Sequence, residues 1–344
     1  GGVVAYVVRE HGQDDIWAVD VTSREVIRIT NYAADETNPA WSPANTGTMR
    51  LAYASNKDGN WEIYIYDLER EETQRVTYDL AYQDNPIWSP DGTWLAYESY
   101  QGGNLDIYAV PIDGSDAPIR ITDHASADYA PAWSPDGRHI AFVSLRDGNQ
   151  DIYVFNLDTL EVVNITNTPT RNEDNPAWSF AGDALAFSAS ELGHDVVLVQ
   201  QLTETATSAD VIGFGRMPAW VSVDDVSGLV FMVDSEDKRA SFIAMRSGVA
   251  TELISVMTGA MYPDWVHGVL PASLLSTGGL PLGVADPLYV ETVSSSVDGA
   301  LYKLSPLVDV EASDALLSDA VDDSFYAMRE AIYDASGLDF LGQL

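Results

Sequence analysis

Asn85-Pro-Ile-Trp-Ser-Pro-Asp-Gly92 returns, 45 residues further on, as Pro131-Ala-Trp-Ser-Pro-Asp-Gly137. Outward from this pair the indole recurs as Trp41, Trp88, Trp133, Trp178, Trp220 and Trp265, at steps of 47, 45, 45, 42 and 45 residues. A fixed period of about that length with β-type sequence between the anchors is the signature of a propeller. One repeat cannot bury both faces of its small sheet, so each blade needs neighbours and the ring must close.

The third repeat displays the blade most fully. Ala130 to Ser134 form a strand around Trp133, and Pro135-Asp136-Gly137 reverse the chain, because proline presets φ and glycine accepts a positive one. His139 to Ser144, Asp151 to Phe155 and Glu161 to Thr166 supply three more strands. Leu51-Ala-Tyr53, Leu95-Ala-Tyr97 and Leu185-Ala-Phe187 match Ile140-Ala-Phe142, and Ile29-Thr30, Val76-Thr77 and Ile121-Thr122 match Ile165-Thr166. In the fifth repeat Leu229 to Val233, Ser241 to Met245 and Thr251 to Ser255 still read as strands.

The two ends complete one another. Val3 to Val8, Asp15 to Val19 and Val26 to Thr30 lack a tryptophan strand, whereas Tyr262-Pro-Asp-Trp-Val266 lacks the strands that should follow it. Joining them predicts a three-plus-one closure that removes the exposed edges. The expected fold is all-β: a six-bladed β-propeller of four-stranded blades over residues 1–268, followed by a small α/β tail. Residues 269–287 read as a linker. Residues 288–344 read as a strand–helix segment that begins a further domain, with a strand at Leu288 to Val293 and a helix capped by Ser318. Leu317, Val321, Phe325, Met328 and Ile332 make the apolar face of that helix.

These phrases, with Asp58-Gly-Asn60, Ile63-Tyr64, Asp147-Gly-Asn149 and Asp151-Ile-Tyr153, resemble the TolB-like six-bladed propellers of bacterial envelope and secreted proteins. The resemblance implies recognition of a protein or ligand at the rims and channel. It also implies an extracytoplasmic location, whether periplasmic, cell-surface or secreted.

Composition limits the partners. Lys and Arg number 17 against 53 Asp and Glu, a formal charge of −36. Such a surface repels phosphate backbones, which excludes nucleic acid, and no apolar run is long enough for membrane insertion. It favours basic partners and divalent cations. With no cysteine, disulfides, thiolate zinc sites and cysteine nucleophiles are excluded.

Catalytic signatures are missing. There is no Gly-x-Ser-x-Gly elbow, no His-Glu-x-x-His and no phosphate-cradling loop, and Gly213-Phe-Gly215 leads into Arg216-Met217-Pro218 rather than a glycine-led helix. His124 and His267 fall near inner-strand boundaries, but scattered histidines are commoner on surfaces and turns than at metals. Asp58-x-Asn60-x-Glu62 and Asp147-x-Asn149-x-Asp151 invite a calcium reading. Ile63 and Ile152 stand where a calcium loop needs glycine, so polar turns are the better reading.

The residues just before each inner strand are the stronger candidates, because propeller geometry places these loops on one rim, around the channel mouth. Glu36, Asn38, Asp84, Asn85, Asp128, Tyr129, Glu173, Asp174, Arg216 and Tyr262 form the expected ligand-binding set. Convergent carboxylates there suit a basic peptide or a cation such as Ca²⁺, with no other cofactor implied. The competing explanation is conformational, since Asn38, Asn85 and Asn175 each precede proline in a turn-like setting. The leading expectation is a non-enzymatic recognition or scaffold propeller for a protein or peptide. Two alternatives are a structural subunit of a surface layer, filament or multidomain secreted protein, self-assembling through the C-terminal helix, and a carbohydrate-active enzyme using channel residues.

Overall fold

The computed structural model describes residues 1–10, 12–20, 22–23, 25–191, 193–202, 208–223, 226–235, 238–245, 253–254, 260–271, 274 and 290–291. Strands Glu36–Trp41, Arg50–Ser55, Glu62–Asp67 and Glu72–Arg75 pair antiparallel in that order as the Trp41 blade. The Trp88 blade runs through Gln83–Trp88, Trp94–Ser99, Asp106–Pro111 and Ile119–Arg120. The Trp133 blade follows with Asp128–Trp133, His139–Ser144, Asp151–Asn156 and Val162–Asn164. The Trp178 blade has Glu173–Trp178, Ala184–Glu191, His194–Gln201 and Asp210–Phe214.

Each recurring phrase has a local cause. Ser89 Oγ donates to Asp91 at 2.6 Å, Asp91 accepts the Thr93 N–H at 3.0 Å, and Gly92 takes φ 68°. Ser134, Asp136 and Gly137 repeat this turn. At Ser179-Phe-Ala-Gly the phrase has decayed, yet Ser179 donates to Asp183 at 2.8 Å and Gly182 keeps φ 74°. A threonine just after the outer strand also repeats, in four of the blades. Thr30, Thr77, Thr122 and Thr166 Oγ1 accept the N–H of Ile16, Ile63, Ile107 and Ile152 at 2.8–3.0 Å. The indoles stitch neighbouring blades: Trp88, Trp178 and Trp220 Nε1 donate to the carbonyls of Ala40, Ala132 and Ala177 at 2.9–3.0 Å. Each such bond is worth about 1 kcal/mol net. Second strands are sandwiched between neighbouring sheets. Leu51, Ala52, Tyr53 and Ala54 are therefore all fully buried, a continuous apolar run rather than an alternation.

The ring closes as expected. Ala260–His267 pairs with Gly2–Glu10, Val3 opposite Val266 and Val4 opposite Trp265, and Gln13–Asp20 and Val26–Arg28 complete that blade.

One expectation is corrected. Among the described residues five four-stranded blades are present, not six. The sheet around Trp220 has three strands, Arg216–Val223, Val226–Ser235 and Lys238–Met245. Its expected fourth strand survives as Leu253–Ile254, which lies beside Lys238–Met245 but spends its ladder on Val290–Glu291. A strand of two residues has too few hydrogen bonds to hold a register of its own, so it pairs with the edge that reaches it. Among the described residues helix amounts to little beyond the 3-10 turn Ala44–Thr46. The helix expected from Ser318, with Leu317 to Ile332, lies outside the described residues, as does most of 269–287.

Candidate functional site

Every inner strand carries the same distortion at the residue before its proline. Asn38, Asn85, Ala130, Asn175, Met217 and Tyr262 have φ between 48° and 55°, and each precedes a proline. Pairing with the neighbouring strand shifts register there, as a β-bulge does. Asparagine tolerates the left-handed region best among residues with a side chain, which explains its use at three of the six. The bulges surround a cavity of about 310 Å³, the central channel, lined from all six inner strands by this residue, its proline, the next residue and the tryptophan.

The expected site residues divide into three groups. Asn38, Asn85 and Tyr262 line the channel. Asp174 and Arg216 line a second cavity of about 160 Å³ with Gln150, Asn172, Ser188 and Asp195, and Asn175 borders both spaces. Arg216 Nη1 sits 3.9 Å from Asp195. Glu36, Asp84, Asp128, Tyr129 and Glu173 are enclosed between blades. They do not stand on loops: the inner strands begin at Glu36, Gln83, Asp128 and Glu173.

Each enclosed acid has its own partners. Glu36 accepts from Ser55 at 3.0 Å, and burial pushes its carboxyl up to about 7. Asp84 accepts from the Tyr82 hydroxyl at 2.6 Å and from Asn38 Nδ2 at 2.9 Å. Burial and then the nearby Glu98 push it up to about 6. Arg146 grips both oxygens of Asp128 at 3.0 and 2.9 Å. Thr168 donates to Glu173, which burial raises to about 7. The Tyr129 hydroxyl accepts from Gln150 at 2.7 Å.

The calcium-like turns are internally engaged. Arg75 pairs with Glu62 at 2.7 Å, Asn164 donates to Asp151 at 2.9 Å, and the Tyr64 and Tyr153 hydroxyls donate to Asp58 and Asp147 at 2.7 and 2.5 Å. Among the described residues no three His, Cys, Asp or Glu side chains gather as a metal cluster. His124 and His267 are exposed and do not line the channel.

Asp264 is the residue that motif reading passed over. It stands where the other inner strands have Ala40, Ile87, Ala132, Ala177 and Ala219, and among the described residues lining the channel it is the one that carries a charge. Its Oδ2 accepts the Trp41 N–H at 2.6 Å, across the seam between the last and first inner strands. The carboxyl is ringed by protein, which raises it to about 6, yet part of it remains open to the channel. The signal lay in Pro263-Asp-Trp265, an acid in a slot that five sister repeats fill with apolar side chains.

Residues 1–127 and 119–265 each match the family description TolB beta propeller domain. No curated protein matches the chain by sequence. Among solved structures it is similar to TolB from Acinetobacter baumannii, with a TM-score of 0.65 at 19% identity, covering 77% of this chain and 67% of that one. It is similar also to a putative TolB from Agrobacterium tumefaciens, with a TM-score of 0.60 at 17% identity, covering 86% of this chain and 100% of that one. A nidogen/laminin complex gives a TM-score of 0.59 at 10% identity, over 77% of this chain and 98% of that one. At such identities the likeness is one of fold.

Proposed function

The chain belongs to the TolB β-propeller family, and from that premise we propose that it is a recognition propeller that holds a protein or peptide segment at the channel mouth, outside the cytoplasm. The observation that supports this most is the channel lining. Indoles, prolines, amides and a phenol surround the opening, and among the described residues that line it there is no Ser, Thr, Cys, His, Lys or Glu. That inventory suits binding far better than acyl transfer, phosphoryl transfer or metal-assisted hydrolysis. The adjoining polar cavity at Asp174 and Arg216 extends the same mouth with charges of both signs, which fix the register of a bound segment. The four enclosed acids and Tyr129 shape this rim rather than touch the ligand, since side chains between blades cannot meet a partner without opening the sheet. Among the described residues no helix is long and apolar enough to cross a membrane.

A photo-crosslinking phenylalanine at Tyr262, compared with one at Tyr78, which is 71% exposed and does not line the channel, tests this reading in the cell that makes the protein. The expected result is one discrete protein adduct from Tyr262 and none from Tyr78. Adducts from Tyr78 alone, or from neither position, would end it.

A further inference from the structure

We propose that the central channel is a seat for an alkylammonium group, the head of a lysine side chain, with Asp264 as its counter-ion. This deepens the recognition reading above by naming the chemistry that enters the mouth.

Asp264 has no counterpart in the other five inner strands, so the ring itself does not require a carboxylate at this level. Alanine or isoleucine serves the blade-to-blade packing elsewhere. A carboxylate walled by indole, proline and alanine interacts with an incoming cation at low effective dielectric, where the attraction is several times that in water. Among the described residues lining the channel there is no Lys or Arg to take that role from within.

The geometry also selects the type of cation. A divalent hard ion takes six to eight oxygens, and at this depth one carboxylate faces alanines, an isoleucine and tryptophans. A guanidinium is best matched by both carboxylate oxygens at once, and Oδ2 is already bonded to the Trp41 N–H. A compact ammonium needs only one lone pair of a carboxylate that otherwise accepts the Trp41 and Trp265 N–H groups. Depth agrees as well. Asp264 lies two residues along the strand from the ring of Asn38, Asn85, Asn175 and Tyr262, or about 7 Å at the usual strand rise. The four-carbon stem of lysine spans such a distance, with its backbone at the amides and its methylenes against the indoles. The cavity of about 310 Å³ is at the small end of ligand sites, suited to a single side chain. A net charge of −36 steers such a cation inward.

The test titrates the purified chain with Nα-acetyl-lysine methylamide, the arginine analogue, n-butylammonium and calcium chloride, by calorimetry. Asp264→Asn keeps an acceptor for the Trp41 N–H and removes the charge. The lysine amide should bind the wild type, bind Asp264→Asn about tenfold or more weaker, and exceed the arginine analogue. The n-butylammonium arm separates a free amine from a lysine residue: weaker binding than the lysine amide supports the residue, and stronger binding overturns it. Should Asp264→Asn fail to fold, isotope-labelled tryptophan amide spectra of the wild type decide. Trp41 and Trp265 must shift with the lysine amide while Trp61 and Trp94, which do not line the channel, stay fixed. Equal affinity for wild type and Asp264→Asn, no binding of any amine, or calcium binding alone would refute the seat. Adducts at Tyr262 alongside such a result would leave the mouth intact as a recognition surface and remove only its chemistry.

Discussion

Glu36 and Glu173 show what one buried carboxyl does to the whole chain. Both are held up to about 7 by burial, well above the ordinary glutamate value. Between about pH 4.5 and 7 the folded protein therefore keeps protons that the unfolded chain has released. Stability falls as pH rises through that window and levels off above it. Asp84, Asp106 and Asp264, each raised by burial to about 6, act in the same direction over a lower range. Urea midpoints should accordingly be higher at pH 5 than at pH 8. The double variant Glu36→Gln, Glu173→Gln keeps acceptors for Ser55 and Thr168, and should gain on the order of 1–3 kcal/mol at pH 8 while flattening the pH dependence. A variant no more stable at pH 8, or an unchanged slope, would show that these acids are ionised without cost.

At the scale of strands, the closing pair is the sensitive element. A Cβ built on Gly2 would lie 1.4 Å from Cη2 of Trp265, the indole of the strand it pairs with. Gly2→Ala must displace that ring from the seam, an overpacking cost of about 1–3 kcal/mol. A thermal melt unchanged by Gly2→Ala would mean the closing strand is not anchored there. This closure could be read from the chain because the first three strands lack an indole partner and the last indole lacks its strands. The fate of the acids could not. The mouth reading puts Glu36, Asp128 and Glu173 on loops, whereas each opens its strand. The bulge at the third residue then breaks the simple alternation by which a face would be assigned from sequence. The Trp220 sheet shows the same boundary, since local pattern identifies Leu253–Ile254 as a strand but does not say which edge takes it.

For the whole molecule, the antiparallel closure sets how the ring meets force. Gly2 lies directly across from His267, and Val8 across from Ala260 at the far end of the pair. Tension applied at Gly2 and His267 therefore loads the hydrogen bonds one rung at a time, like a zip pulled from its open end, instead of shearing all of them together. The ring should yield at low force by losing one strand while the four interior four-stranded blades stay folded. Single-molecule pulling from these two residues would show a small first extension, then larger ones. A ligand seated in the axis, as proposed above, would be released whenever the two residues at the seam are drawn apart.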